Sequence, residues 1–115
     1  MTRRQRRQHF QLTFHPNIQQ DLEVLDPPVL DVIPSLLDDL AYGRIIGKAL
    51  GARRVSGDLS GLARVKFDVP GQRPEGFRLV YRQIGDDLRD VLAIGIRDQH
   101  AIYQVAVRRL TPNDR

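Results

Sequence analysis

The heptapeptide Ala63-Arg64-Val65-Lys66-Phe67-Asp68-Val69 alternates apolar and charged residues without a break. Successive side chains point to opposite sides only along an extended chain, so the segment reads as a β-strand. Ala63, Val65, Phe67 and Val69 face inward, and Arg64 and Lys66 share the other face. A strand with one apolar face needs neighbours along its edges and a layer over that face.

The rest of the chain supplies both. Phe77-Arg78-Leu79-Val80-Tyr81-Arg82 reads as a second strand and the apolar run Val91 to Ile96 as a third. Gly85-Asp86-Asp87 marks a hairpin between them, and the segment Pro70 to Gly76 reads as a turn or loop. Near the N-terminus, Phe10-Gln11-Leu12-Thr13-Phe14 has the same period of two and ends at His15-Pro16. Asn17 is placed to cap a short helix with Ile18, Leu22 and Leu25 on one face. Asp26-Pro27-Pro28 stops that helix and starts another, with Val29, Leu30, Val32, Ile33, Leu36, Leu37 and Leu40 as its apolar stripe. Pro34 is expected to kink this helix and Gly43 to end it. Residues 44–60, with Gly47, Gly51 and Gly57, read as loop and turn. Asp98 to Leu110 is helix-like, with Ile102, Ala106 and Leu110 four apart.

The expected order is β-α-α-β-β-β-α: an α+β domain with a helical hairpin packed on a mostly antiparallel four-stranded sheet. It occupies residues 10–115 as a single domain, after a basic, disordered tail at residues 1–9. The chain's 115 residues and 41% apolar share allow one modest core. No cysteine is present, which rules out disulfides and thiolate chemistry and agrees with a cytoplasmic location. No apolar run approaches the roughly 20 residues that span a bilayer, so no membrane is expected as a partner.

The net charge of +4 is unevenly spread. Residues 1–9 hold four arginines and no acid, and residues 17–42 hold six acids and no Lys or Arg. Residues 43–82 hold nine bases against three acids. A basic middle within a folded domain points to an anionic partner, nucleic acid first; the plainer reading is a solvated face in which Asp68 and Glu75 neutralise part of the charge.

Alternation places Arg64 and Lys66 on one face of their strand, and Arg78 and Arg82 on one face of the next. Arg97 closes the third strand, and Tyr103 follows six residues later. Cations can stabilise charge on a phosphate, and an aromatic ring can stack on a base. RNA carries its own nucleophile, the 2′-hydroxyl, so cleavage needs only proton transfers and in-line geometry. Among arginines, Lys66 is a candidate base, because neighbouring positive charge favours a neutral amine. His9, His15 and His100 lack metal-ligand spacing and read as surface residues, so no metal or other cofactor is expected. There is no Gly-rich phosphate loop and no nucleophilic-serine elbow.

These residues resemble the RelE/ParE superfamily of toxins from bacterial type II toxin–antitoxin systems, closest to the RelE branch. The similarity spans residues 10–110. It runs through Leu59-Ser60-Gly61, Arg64-Val65-Lys66-Phe67, Phe77-Arg78-Leu79-Val80-Tyr81, Gly95-Ile96-Arg97, Tyr103 and Ala106-Val107-Arg108-Arg109-Leu110. The resemblance implies a ribosome-dependent endoribonuclease, an mRNA interferase that cuts mRNA in the ribosomal A site without metal and is neutralised by a cognate antitoxin. It implies catalytic roles for Lys66 as general base, Arg78 on the scissile phosphate, Arg97 as general acid and Tyr103 stacked on the base. Arg64 stands where the family often has a second lysine, and together with Arg82, which strand alternation adds, it is expected to bind RNA. The chain departs from the family at Asp68, where a base is common, in a longer loop over residues 70–76, and in the Arg-rich tail. The superfamily leaves two alternatives: a ParE-like inhibitor of DNA gyrase without nuclease activity, and a catalytically degenerate homologue that still binds antitoxin.

Overall fold

The computed structural model describes residues 9–53, 57–97 and 101–110. The expected tail, apart from His9, and the expected helix start at Asp98 to His100 lie outside these residues. The elements are β1 (Gln11–Phe14), α1 (Ile18–Glu23), α2 (Pro27–Ala41), β2 (Lys48–Arg53), β3 (Gly57–Phe67), β4 (Phe77–Ile84), β5 (Leu88–Ile96) and α3 (Ala101–Leu110). The sheet has five strands in the order β1-β5-β4-β3-β2. β1 runs parallel to β5, and every other pairing is antiparallel.

The α+β class and helical hairpin match expectation; the strand count does not. Residues 44–60, read as loop and turn, contribute β2 and the first part of β3. β2 escapes detection because its ladder slips between Ala49 and Gly51, where Gly51 takes a φ of +68°. That irregularity erases the period of two. Leu50 is nonetheless buried under α3's side of the sheet.

Core side chains lie on both faces. On one, Ile18, Val29, Ile33, Leu36 and Leu40 of the hairpin meet Val65, Phe67, Phe77, Leu79 and Tyr81. On the other, Ile102, Tyr103 and Ala106 of α3 meet Leu62, Val80, Leu92 and Ala93. The β4–β5 register shifts by one residue between Val80 and Tyr81, so Leu92 and Ala93 both serve the α3 side while Val91 and Ile94 serve the hairpin side. Two glycines allow close approaches across the sheet, Gly47 strictly and Gly95 less so. A Cβ at Gly47 would lie 2.8 Å from the Tyr81 ring and 2.9 Å from the Arg64 carbonyl, and one at Gly95 would crowd Ile102 at 3.2 Å.

α2 continues unbroken through Pro34, which faces solvent, and ends as expected before Gly43 at a φ of +73°. Asn17 and Asp26 precede their helices as expected, but neither side chain makes a capping hydrogen bond. No helix among the described residues is long and apolar enough to cross a membrane.

Candidate functional site

Strand register decides which cations meet. Lys66 lies directly opposite Arg78, and Arg78 opposite Gly95. The next row toward β2 holds Lys48 opposite Arg64, with Val80 beyond. The Arg97 N–H donates to the Gly76 carbonyl at 2.8 Å, extending the ladder one step beyond Phe77–Ile96. The Arg97 side chain is exposed and lines a cleft of about 160 Å³ with Gln72, Arg73 and Gly76. Register therefore puts Lys66 and Arg78 side by side with Arg64 in the next row, while Arg97 follows the β5 end and its cleft includes none of the three.

Their environments differ. Arg78 is 6% exposed, and its Nη1 donates to the carbonyls of Glu75 at 2.7 Å and Phe77 at 3.1 Å. Lys66 is exposed, with its Nζ 3.7 Å from the Glu75 carboxylate. Neither Arg64 nor Lys48 pairs with an acid among the described residues.

Asp68 pairs with neither Arg78 nor Arg64 among the described residues. Its Oδ1 accepts the Glu75 N–H at 2.6 Å and closes the loop over residues 70–76. Glu75 thus acquires three attachments: its N–H to Asp68, its carbonyl to Arg78 and its carboxylate to Lys66. It is also the one non-glycine residue with positive φ, at 50°, among the described residues. Its role as an organising residue was invisible in the sequence, where it read only as a neutralising charge.

Solved structures place this architecture. A mutant of the E. coli toxin RelE in the free state superposes with a TM-score of 0.60 and 21% identity, over 90% of this chain and 99% of that one. The toxin–antitoxin complex RelBE2 from Mycobacterium tuberculosis does so with a TM-score of 0.60 and 22% identity, over 77% of this chain and 99% of that one. The fold is RelE-like. No family model matches the sequence, and no curated protein matches it.

Within this RelE-like frame, two expected site residues stand elsewhere. Tyr103, expected to stack on a base, is 6% exposed and belongs to the core between α3 and the sheet. A buried ring has no free face for a base, so in this arrangement Tyr103 packs. Arg82 lies opposite Leu62 and Asp90, two rows from Arg78. It pairs with Asp90 at 3.8 Å, and Asp90 in turn accepts the Thr13 hydroxyl at 2.7 Å. Its charge is answered far from the Lys66–Arg78 pair.

Two further charged groups escaped sequence reasoning. Arg89 is 3% exposed, donates to the Leu40 and Ile45 carbonyls and to Gln83, and lies 3.8 Å from the Phe10 ring centroid. Burial pushes its pKa below the ordinary arginine value, partly opposed by charge interaction with Tyr81. Asp21 of α1 grips Arg109 of α3 through two bonds of 2.8 and 2.9 Å and accepts the Ile94 N–H, while Arg109 donates to the Leu92 carbonyl. These bonds occupy the β5 edge beyond the last β1 pairing at Phe14–Val91. Nothing in the local pattern near Asp21 signals an ion pair 88 residues away.

Proposed function

We propose that this chain is the toxin of a type II toxin–antitoxin system and acts as a ribosome-dependent mRNA endoribonuclease. The observation that carries the reading is the cross-strand pair Lys66–Arg78, flanked by Arg64 and Arg97 at one end of a RelE-like sheet. In the proposed reaction the 2′-hydroxyl oxygen attacks the adjacent phosphate, the bond to the 5′-oxygen breaks, and a 2′,3′-cyclic phosphate remains. Lys66, Arg64 and Arg78 offset charge on the phosphate, and Arg97 stabilises the departing oxygen. Arg78 is 6% exposed with Nη1 held by two carbonyls, so it acts on the phosphate through its charge from beneath the surface.

The partner proposed for control is an antitoxin, as in the neighbouring RelBE2 complex. An apolar groove of about 700 Å³ between α1, α2 and the end of β1, lined by Phe14, Ile18, Leu22, Leu30, Ile33 and Leu37, suits burial of a partner's apolar side chains. Cell-free translation with the purified chain should yield mRNA cut in the ribosomal A site, and Arg97→Ala should reduce the cutting. Intact mRNA with the native chain rejects the nuclease reading.

The burial of Tyr103 favours one competing reading, a ParE-like gyrase inhibitor, because it removes the exposed ring expected for base stacking. Inhibition of gyrase supercoiling with no mRNA cleavage would establish that alternative.

A further inference from the structure

Proton removal from the 2′-hydroxyl needs an acceptor, and most groups at the site are unsuited to it. Arg64, Arg78 and Arg97 are guanidiniums, which do not deprotonate in proteins. Tyr103 is buried. Lys66 Nζ lies 3.7 Å from the Glu75 carboxylate, which engages it as an ion-pair partner. Asp68 spends an oxygen on the Glu75 N–H. The Glu75 carboxylate is 59% exposed at the side chain and sits 3.7 Å from Lys66 Nζ.

Its backbone carries the second observation. A non-glycine residue at positive φ is costly and persists where the surroundings over-determine it, often at working sites. Here Asp68 holds the N–H and Arg78 the carbonyl. The strained residue is thereby fixed with its acid toward the cations rather than left to swing with the loop.

We propose that Glu75 is the proton acceptor of this site, with Lys66 serving as its electrostatic partner rather than as the base. The assignment rests on the nuclease reading above. Glu75 takes the 2′-hydroxyl proton as the oxygen forms its bond to phosphorus. The bond from phosphorus to the 5′-oxygen breaks with its electron pair, and that oxygen takes a proton from water beside the Arg97 guanidinium. Glu75 then releases its proton to solvent, and the pair with Lys66 is restored.

The test compares the native chain with Glu75→Gln, which keeps the side-chain shape and all backbone bonds. Two quantities are measured on programmed ribosomes: the single-turnover cleavage rate, and the affinity for an mRNA whose A-site nucleotide carries a 2′-deoxy sugar and cannot react. Loss of a general base should slow cleavage by about 10²- to 10⁴-fold. Binding of the unreactive mRNA should hold or tighten, since an acid has left a basic site. Equal or faster cleavage by Glu75→Gln overturns the assignment and makes Glu75 a competing counter-ion. Loss of binding in step with cleavage also overturns it and makes the residue structural. If the native chain cuts nothing, the nuclease reading fails and takes the assignment with it; only in that case is the native control itself inactive.

Discussion

Arg89 is a cation that pairs with no carboxylate among the described residues. Two backbone carbonyls and an amide oxygen take its donors, and the Phe10 and Tyr81 rings lie within 3.8 and 5.0 Å of its guanidinium carbon. The bonds tie β5 to the end of α2 and to the segment after it, so this side chain fastens the hairpin to the sheet. Arg89→Leu would take the guanidinium donors from the Leu40 and Ile45 carbonyls, leaving Leu40 only the long 3.4 Å bond from the Gly43 N–H, at a cost of about 2 kcal/mol. Urea unfolding should show the midpoint falling with an unchanged slope, and Arg89→Lys should rescue little, because one ammonium lacks the planar fork. Asp68 acts at the same scale. Asp68→Ala removes the acceptor that pins Glu75, so on the proposed function and the Glu75 assignment, cleavage of A-site mRNA should drop by roughly tenfold or more, a barrier increase of about 1.4 kcal/mol, with little change in thermal stability. Asp68→Asn, which retains an acceptor oxygen, should lose less.

At the scale of elements, α3 depends on α1. Asp21 and Arg109 are nearly buried, with side-chain exposures of 14% and 13%. Asp21→Ala would leave the Arg109 charge with only the Leu92 carbonyl and the Ile94 N–H without its acceptor, and breaking a largely buried pair in this way costs about 3 kcal/mol. Hydrogen exchange should then quicken in α3 before it does in β3 and β4. β2 has a different weak point at Gly47, whose N–H donates to the Tyr81 hydroxyl at 3.0 Å. Gly47→Ala would drive a methyl into the Tyr81 ring and the Arg64 carbonyl, costing about 1–3 kcal/mol, measurable as a lowered Tm.

At the scale of the whole molecule, charge is sorted. The helical hairpin carries acids, and the β2–β3–β4 end of the sheet carries cations. On the proposed function, RNA should bind through that end with a steep salt dependence. Lys48→Ala should lower the slope of log K against log salt by about 0.7, the value for one contact to a single strand, whereas Arg82→Ala should change it less because Asp90 already answers that charge. Much of this architecture was legible in the sequence. The alternation in Ala63 to Val69 and Phe77 to Arg82 identifies two strands and their inward faces, and the stripe from Val29 to Leu40 identifies the helix that covers them. β2 was not legible, because Gly51 and the slipped ladder break its period.

By itself, the sequence determined which side of its own strand each cation takes, since a side-chain period of two is a property of the extended backbone. That parity grouped Arg64 with Lys66 and Arg78 with Arg82. Tertiary structure alone decided what each side meets. It set Lys66 opposite Arg78, gave Arg82 to Asp90, buried Tyr103 beneath α3, and turned Asp68 from an apparent intruder into the clasp that holds Glu75. Register, a one-residue slip between β4 and β5, and closure of a loop produce those outcomes. Each depends on contacts between residues far apart in the chain, which no local pattern of hydropathy or charge encodes.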